Sequence, residues 1–174
     1  LWQRFLAQRG LAKLAFCRKD IDGMALHFTR AEGIARWIDA PGTEKQAHAA
    51  ALFSLSSDEN DPTKSRELLD RAEKITQSDP SIFGQRILGN IYYTKGDYGG
   101  AYRIWKALLD RDQNDVSSGL AMPDAIERKR LSNAIALARL KQSQPKYALE
   151  VVEAALKESW SSKNEEHRTE QVRL

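Results

Sequence analysis

The sequence predicts an all-α protein of antiparallel helix pairs, on three observations. Apolar residues recur at spacings of three and four along most of the chain, and no stretch alternates with the two-residue period of a strand. The helical stretches are separated by polar turns, most of them carrying Gly or Pro. The 174 residues are 41% hydrophobic and 29% charged with five prolines, which supports a continuous core and argues against a mainly disordered chain.

The clearest pair runs from Ser81 to Asp112. Leu88, Gly89 and Tyr92 share one stripe of a first helix, and Lys95-Gly96-Asp97 interrupts it. Glycine readily enters the φ > 0 region and aspartate caps a following helix. Ala101, Trp105 and Leu108 continue at spacings of four and three on a second helix. A small residue followed by an aromatic suits a tight crossing filled by one large side chain. These residues resemble the tetratricopeptide repeat, a helix pair of about 34 residues with Leu-Gly-x-x-Tyr in its first helix and Ala-x-x-x-Phe in its second. Gln85 stands at the family's leading Trp, Trp105 at its aromatic, and no Pro closes the unit near Gln113. The resemblance implies a right-handed superhelical solenoid of about four helix pairs, TPR-like over residues 1–160, that serves as a binding scaffold.

The remaining pairs are read in chain order. A first helix over Trp2–Arg18 has Leu6, Leu11, Leu14 and Ala15 as its apolar positions, with Leu11-Ala12 and Ala15 a reduced form of the Leu-Gly-x-x-Tyr stripe. Asp20 caps a second helix in which Met24, Phe28 and Ala31 match Ala101, Trp105 and Leu108, giving a repeat over about 5–38. Pro41-Gly42 is a turn, and Thr43 caps a helix from Glu44 to Leu55 with a face of small residues. The loop Ser56–Asp61 and a helix from Pro62 to Gln77 bearing Leu68, Leu69, Ala72 and Ile75 complete a repeat over 43–80. The anchor repeat covers 81–114. Asp110 to Asp124 is a polar connection.

A final repeat, 125–160, has helices over Ala125–Lys141 and Lys146–Trp160. The first carries Ile126, Leu131, Ile135, Leu137, Ala138 and Leu140. The second carries Tyr147, Ala148, Val151, Val152, Ala155 and Leu156. Residues 161–174 read as a polar terminal helix or the start of a further repeat. Met24, Leu68, Ala101 and Ala148 lie 44, 33 and 47 residues apart. The excess falls in polar loops, where added length costs little closure entropy.

Several function classes lose support at this level. The 27 basic and 24 acidic residues are well mixed, and a formal charge of +3 is weak ground for nucleic-acid binding. Cys17 is the single cysteine, so neither an internal disulfide nor a multi-cysteine zinc site forms, and its apolar run LAKLAFC places it in the core. No apolar run approaches the roughly 20 residues a membrane helix needs. His27, His48 and His167 are far apart, helix-face residues without metal spacing.

No nucleophile elbow or phosphate-binding glycine loop occurs. Asp110, Asp112 and Asn114 imitate the opening of a calcium loop, but Asp115 replaces its glycine and Ala121 its bidentate glutamate. The reading is a non-enzyme without metal or cofactor. Because the chain opens and closes inside helical patterns, it reads as an excerpt of a longer protein.

In the resembled family the first helices of successive pairs line a concave groove that holds an extended peptide or partner helix. Residues between the packing positions are then the groove candidates: Phe83, Arg86, Asn90 and Tyr93 in the anchor repeat. Leu6, Arg9, Lys13 and Phe16 hold those places in the first repeat, and Arg130, Asn133 and Leu137 in the last. Arg and Asn bond carboxylates and backbone, while Phe and Tyr offer apolar anchors. Arg86 with Asn90 resembles part of a carboxylate clamp, so an acidic or C-terminal-carboxylate peptide is the expected partner. Two rival readings stand beside this one: a self-associating scaffold in an envelope or secretion assembly, and an accessory solenoid of a larger enzyme, such as a membrane glycan-processing one.

Overall fold

The computed structural model describes residues 1–37, 44–111 and 125–157. The described residues are helical, with α1 Trp2–Cys17, α2 Ile21–Trp37, α3 Glu44–Asp58, α4 Pro62–Thr76, α5 Ile82–Thr94, α6 Tyr98–Leu109 and α7 Ala125–Lys141. An eighth, α8, covers 145–157. Among these residues no strand occurs. The Pro41-Gly42 turn, the Thr43 cap, the calcium-like positions Asp112 and Asn114, His167 and the 161–174 segment lie outside the described residues.

Local chemistry accounts for most helix boundaries. Gly23 N donates to Asp20 Oδ1 at 2.9 Å, Thr63 N to Asp61 Oδ1 at 2.9 Å, Gly84 N to Ser81 Oγ at 3.0 Å, and Gly100 N to Asp97 Oδ1 at 2.8 Å. Each bond satisfies a donor in the first helical turn that has no intrahelical acceptor. The helix α3 runs three residues past its expected end at Leu55. There Ser56 and Ser57 hydroxyls both donate to Phe53 O, so side chains expected in a loop bond back along the helix instead.

Three interhelix turns share one backbone device. Lys19, Gly96 and Ser143 occupy the left-handed region at φ 56°, 86° and 58°. After Lys19 and Ser143 the same pair of bonds forms: Asp20 N to Ala15 O and Gln144 N to Arg139 O, each 2.9 Å, with Lys19 N to Phe16 O and Ser143 N to Leu140 O, each 3.0 Å. This six-to-one closure occupies carbonyls that the helix end would leave open. Gly96 takes the conformation without the side-chain clash that Lys19 and Ser143 accept. Five residues after these turns come Met24, Ala101 and Ala148, and seven before them Ala12, Gly89 and Ala136; all six are buried. The chain is thus repeat-like in its local build.

The structure divides into two compact units, Leu1–Lys95 and Gly96–Leu174. In the first, α1 packs on α2, α3 on α4, α2 on α3, and both α3 and α4 on α5. One core runs through all five helices: Ala12 and Ala15 from α1, Met24 and Phe28 from α2, Ala49, Leu52 and Leu55 from α3, Leu68, Leu69 and Ala72 from α4, and Ile87 and Ile91 from α5. A smaller cluster of Phe5, Ala31 and Ala35 seals the other end of α1·α2. Lys95, whose side chain is 16% exposed, ties the end of α5 to Asp70 and Glu73 on α4.

In the second unit α6 packs on α7. The Arg139 guanidinium of α7 lies 3.7 Å from the Tyr102 ring centre of α6 and 5.4 Å from that of Tyr147 in α8. Such stacking suits a planar cation that is weakly hydrated. Arg128 Nη1 donates to Leu109 O at 3.3 Å, serving the carboxyl end of α6.

Several sequence-level expectations are corrected. Leu6, Leu11 and Leu14, expected on the apolar side of α1, are exposed; Phe5, Ala12 and Ala15 are buried instead. Two alanines admit α2 closely, and Met24 and Phe28 supply the bulk. Cys17, expected in the core, is exposed because it lies across the helix from that buried side. In α7, Ile126, Leu137 and Leu140 are exposed, while Leu131, Ile135 and Ala138 are buried as expected together with Ser132 and Ala136. Tyr147 and Leu156 of α8 are exposed as well.

Trp105 is 3% exposed, so Trp105→Ala is expected to cost about 3–5 kcal/mol in a urea melt, from lost burial and the cavity left behind. Burial alone would lower the Lys95 pKa, yet bonding to Asp70 and Glu73 raises it above 10.5. Its contribution is complete below 10.5 and is lost as pH rises through the folded-state value. The Lys95→Met variant should lose about 1 kcal/mol at neutral pH. Its urea midpoint should converge with that of the parent in strong alkali.

Candidate functional site

The helix α5 has two unlike faces. Ile87, Leu88, Gly89 and Ile91 are buried, whereas Phe83, Arg86, Asn90 and Tyr93 lie along the other side at spacings of three, four and three. Phe83 is 40% exposed, and the Arg86 guanidinium carbon stands 5.0 Å from its ring centre. Asn90 and Tyr93 are half-buried. Ser81 anchors this helix, accepting from Gly84 N and from Gln46 Nε2 of α3 at 2.9 Å. Gln85, at the place of the family's tryptophan, donates to Asp79 O at 2.6 Å and braces the same helix start.

The candidates on α1 are placed differently. Arg9 lies 5.6 Å from the Phe5 ring centre and 3.4 Å from Glu44 Oε1, so it serves contacts within the unit. Phe16 packs against the core, and Lys13 is exposed. In the second unit Arg130 is exposed, with Nη1 3.5 Å from Glu127 Oε2, and Asn133 is exposed. Within the first unit the structure brings the candidates Phe83 and Arg86 together.

A feature absent from the sequence reading is an open pocket of about 280 Å³ between α2, α3 and α4. Phe28 and His48 stack along its wall, ring centres 5.3 Å apart and planes 17° from parallel. Glu32 lies 2.7 Å from Arg36 Nη2 and 3.4 Å from Lys45 Nζ. Burial disfavours its charged form, but the Arg36 and Lys45 cations outweigh this and lower its pKa. Burial, and secondarily the Arg71 guanidinium, push His48 down from 6.5 to about 4, so its imidazole is neutral at neutral pH. Glu44 and His48 are one helical turn apart, which was visible in the sequence. Their burial depends on α2 and α4, which no local pattern specifies.

Among the described residues no helix is long and apolar enough to cross a membrane, and no group of three His, Cys, Asp or Glu is placed to hold a metal ion. No protein-family model matches the sequence, and no curated protein matches it.

Between pH 6.5 and about 4 the unfolded chain carries a proton at His48 that the folded chain lacks. Stability therefore falls on acidification through this window and loses nothing further to this group below it. Discounted for partial solvent exposure, the loss is about 1–2 kcal/mol. The urea midpoint of His48→Gln should fall less steeply than the parent's across this window; equal slopes would assign the effect to other groups.

Proposed function

We propose that this chain is a TPR-like helical-repeat module whose role is non-catalytic binding of a protein or peptide. The carrying observation is the outer stripe of α5, where exposed Phe83 stacks with half-buried Arg86, and half-buried Asn90 and Tyr93 follow on the same side. An exposed aromatic backed by a guanidinium combines apolar contact area with a directional donor for a carboxylate, at little ordering cost. The repeated small residues at Ala12, Gly89 and Ala136 favour the tetratricopeptide likeness. An acidic peptide ending in a free carboxylate is the partner chemistry this stripe suits.

The test is fluorescence anisotropy against a library of acidic peptides, each with a free and an amidated carboxyl end. The free-acid form should bind more tightly, and affinity should fall with added salt. The Arg86→Ala/Asn90→Ala variant should lose about tenfold or more in affinity with unchanged helicity. Equal binding by variant and parent would remove α5 from the site.

A second reading, self-association, is favoured by the exposed Trp2, Leu6, Leu11 and Leu14 on α1. Light scattering that shows a monomer at high concentration would exclude it.

A further inference from the structure

The pocket between α2, α3 and α4 has on its wall a buried carboxylate that is ion-paired at one oxygen but hydrogen-bonded at neither. Glu44 opens α3 with 1% of its surface exposed, and neither carboxylate oxygen accepts a hydrogen bond. Arg9 holds Nε 3.4 Å from Oε1 as an ion-pair contact without hydrogen-bond geometry, from a side chain 41% exposed. A carboxylate offers about four lone-pair sites, and a buried one is strongly disfavoured unless donors fill them. One turn along α3, His48 Nε2 is also buried without a partner. Both residues line the pocket, with Phe28 stacked on the imidazole.

We propose that this pocket binds a compact cationic hydrogen-bond donor, an ammonium or guanidinium group, received by the Glu44 carboxylate and flanked by the Phe28–His48 stack. Buried carboxylate attracts such a group strongly because little water screens the charge. Phe28, 8% exposed and stacked on His48, adds an apolar edge to the lining. Neutral imidazole adds no repulsion; of the two lysines on the lining, Lys45 is paired with Glu32, and Lys74 is exposed to solvent that screens its charge. An anion would meet the Glu44 charge without a buried cationic partner of its own. A metal ion would find too few donors, since Glu32 already engages Arg36 and Lys45. At about 280 Å³ the pocket has room for a side-chain-sized head group. That group is carried either by a free small amine or by a Lys or Arg side chain of a polypeptide.

The test follows the His48 imidazole resonances of the whole chain by NMR. Titrants are agmatine, free arginine, and an acetylated, amidated peptide with one arginine beside its citrulline counterpart; sodium phosphate is the anionic control. A saturable shift with at least one cationic probe, and none with phosphate or the citrulline peptide, is expected. A response to agmatine or arginine alone identifies a small-molecule site; a response to the arginine peptide alone identifies a polypeptide side chain. Glu44→Gln should weaken binding about tenfold or more. Should that variant lose its helical signal, Ser78→Trp decides: it fills the pocket from an exposed position with Glu44 left in place, and should abolish the shift.

The Arg86→Ala/Asn90→Ala variant should retain the shift, which separates this site from the α5 stripe. No shift with any cationic probe at millimolar concentration would show that solvent alone serves Glu44 and would overturn the proposal. So would parent-like affinity in either pocket variant, or a response to phosphate.

Discussion

Close approach of helices over small residues is the constraint on which the first unit depends. Ala12, Ala15, Ala49 and Ala72 are buried in one core with Met24, Phe28, Leu52 and Leu68. Each alanine removes side-chain bulk where two helices cross, and each larger residue fills the remaining volume from the facing helix. Dispersion contacts accumulate only when such surfaces meet without gaps. The arrangement also settles where polar groups end up. Where α3 packs between α2 and α4, a pocket opens near the start of α3, with Glu44 and His48 on its wall.

The charged residues divide into two kinds. Lys95 with Asp70 and Glu73 is a closed network: the ammonium meets two carboxylates one helical turn apart on α4, and bonding to Lys95 lowers the Asp70 pKa. Such a network brings helix ends together and leaves little capacity for a ligand. Glu44 is the other kind, deeply buried and contacted by Arg9 at one oxygen. The contrast between a satisfied surface network and an unsatisfied buried carboxylate distinguishes an architectural cluster from a candidate ligand site. His48 belongs with Glu44, since its imidazole is held neutral by burial and packed against Phe28.

The α5 stripe was legible from the sequence because it follows from one helix. Once Leu88, Gly89 and Tyr92 were assigned to a stripe, Phe83, Arg86, Asn90 and Tyr93 had to lie elsewhere around the same cylinder. The contact between Phe83 and Arg86 is likewise a neighbour relation at three residues' separation. Arg9 shows where that reasoning stops. Its place on α1 followed from the same spacing, but its contact with Glu44 depends on how α3 is brought to α1.

What the sequence by itself determined is the all-helical class, the helix starts at Asp20, Pro62, Ser81 and Asp97, and the buried line of Met24, Phe28 and Ala31 with its counterpart Ala101, Trp105 and Leu108. These features depend on residues a few positions apart, where backbone hydrogen bonding and capping act. The tertiary structure decided which face of α1 is inside, placing Ala12 and Ala15 there and leaving Leu6, Leu11, Leu14 and Cys17 outside. It also decided that Glu44 and His48 share a pocket wall with Phe28. Hydrophobicity ranks leucine above alanine, but a helix crossing selects for fit, and fit is a property of two surfaces that only the folded chain brings together.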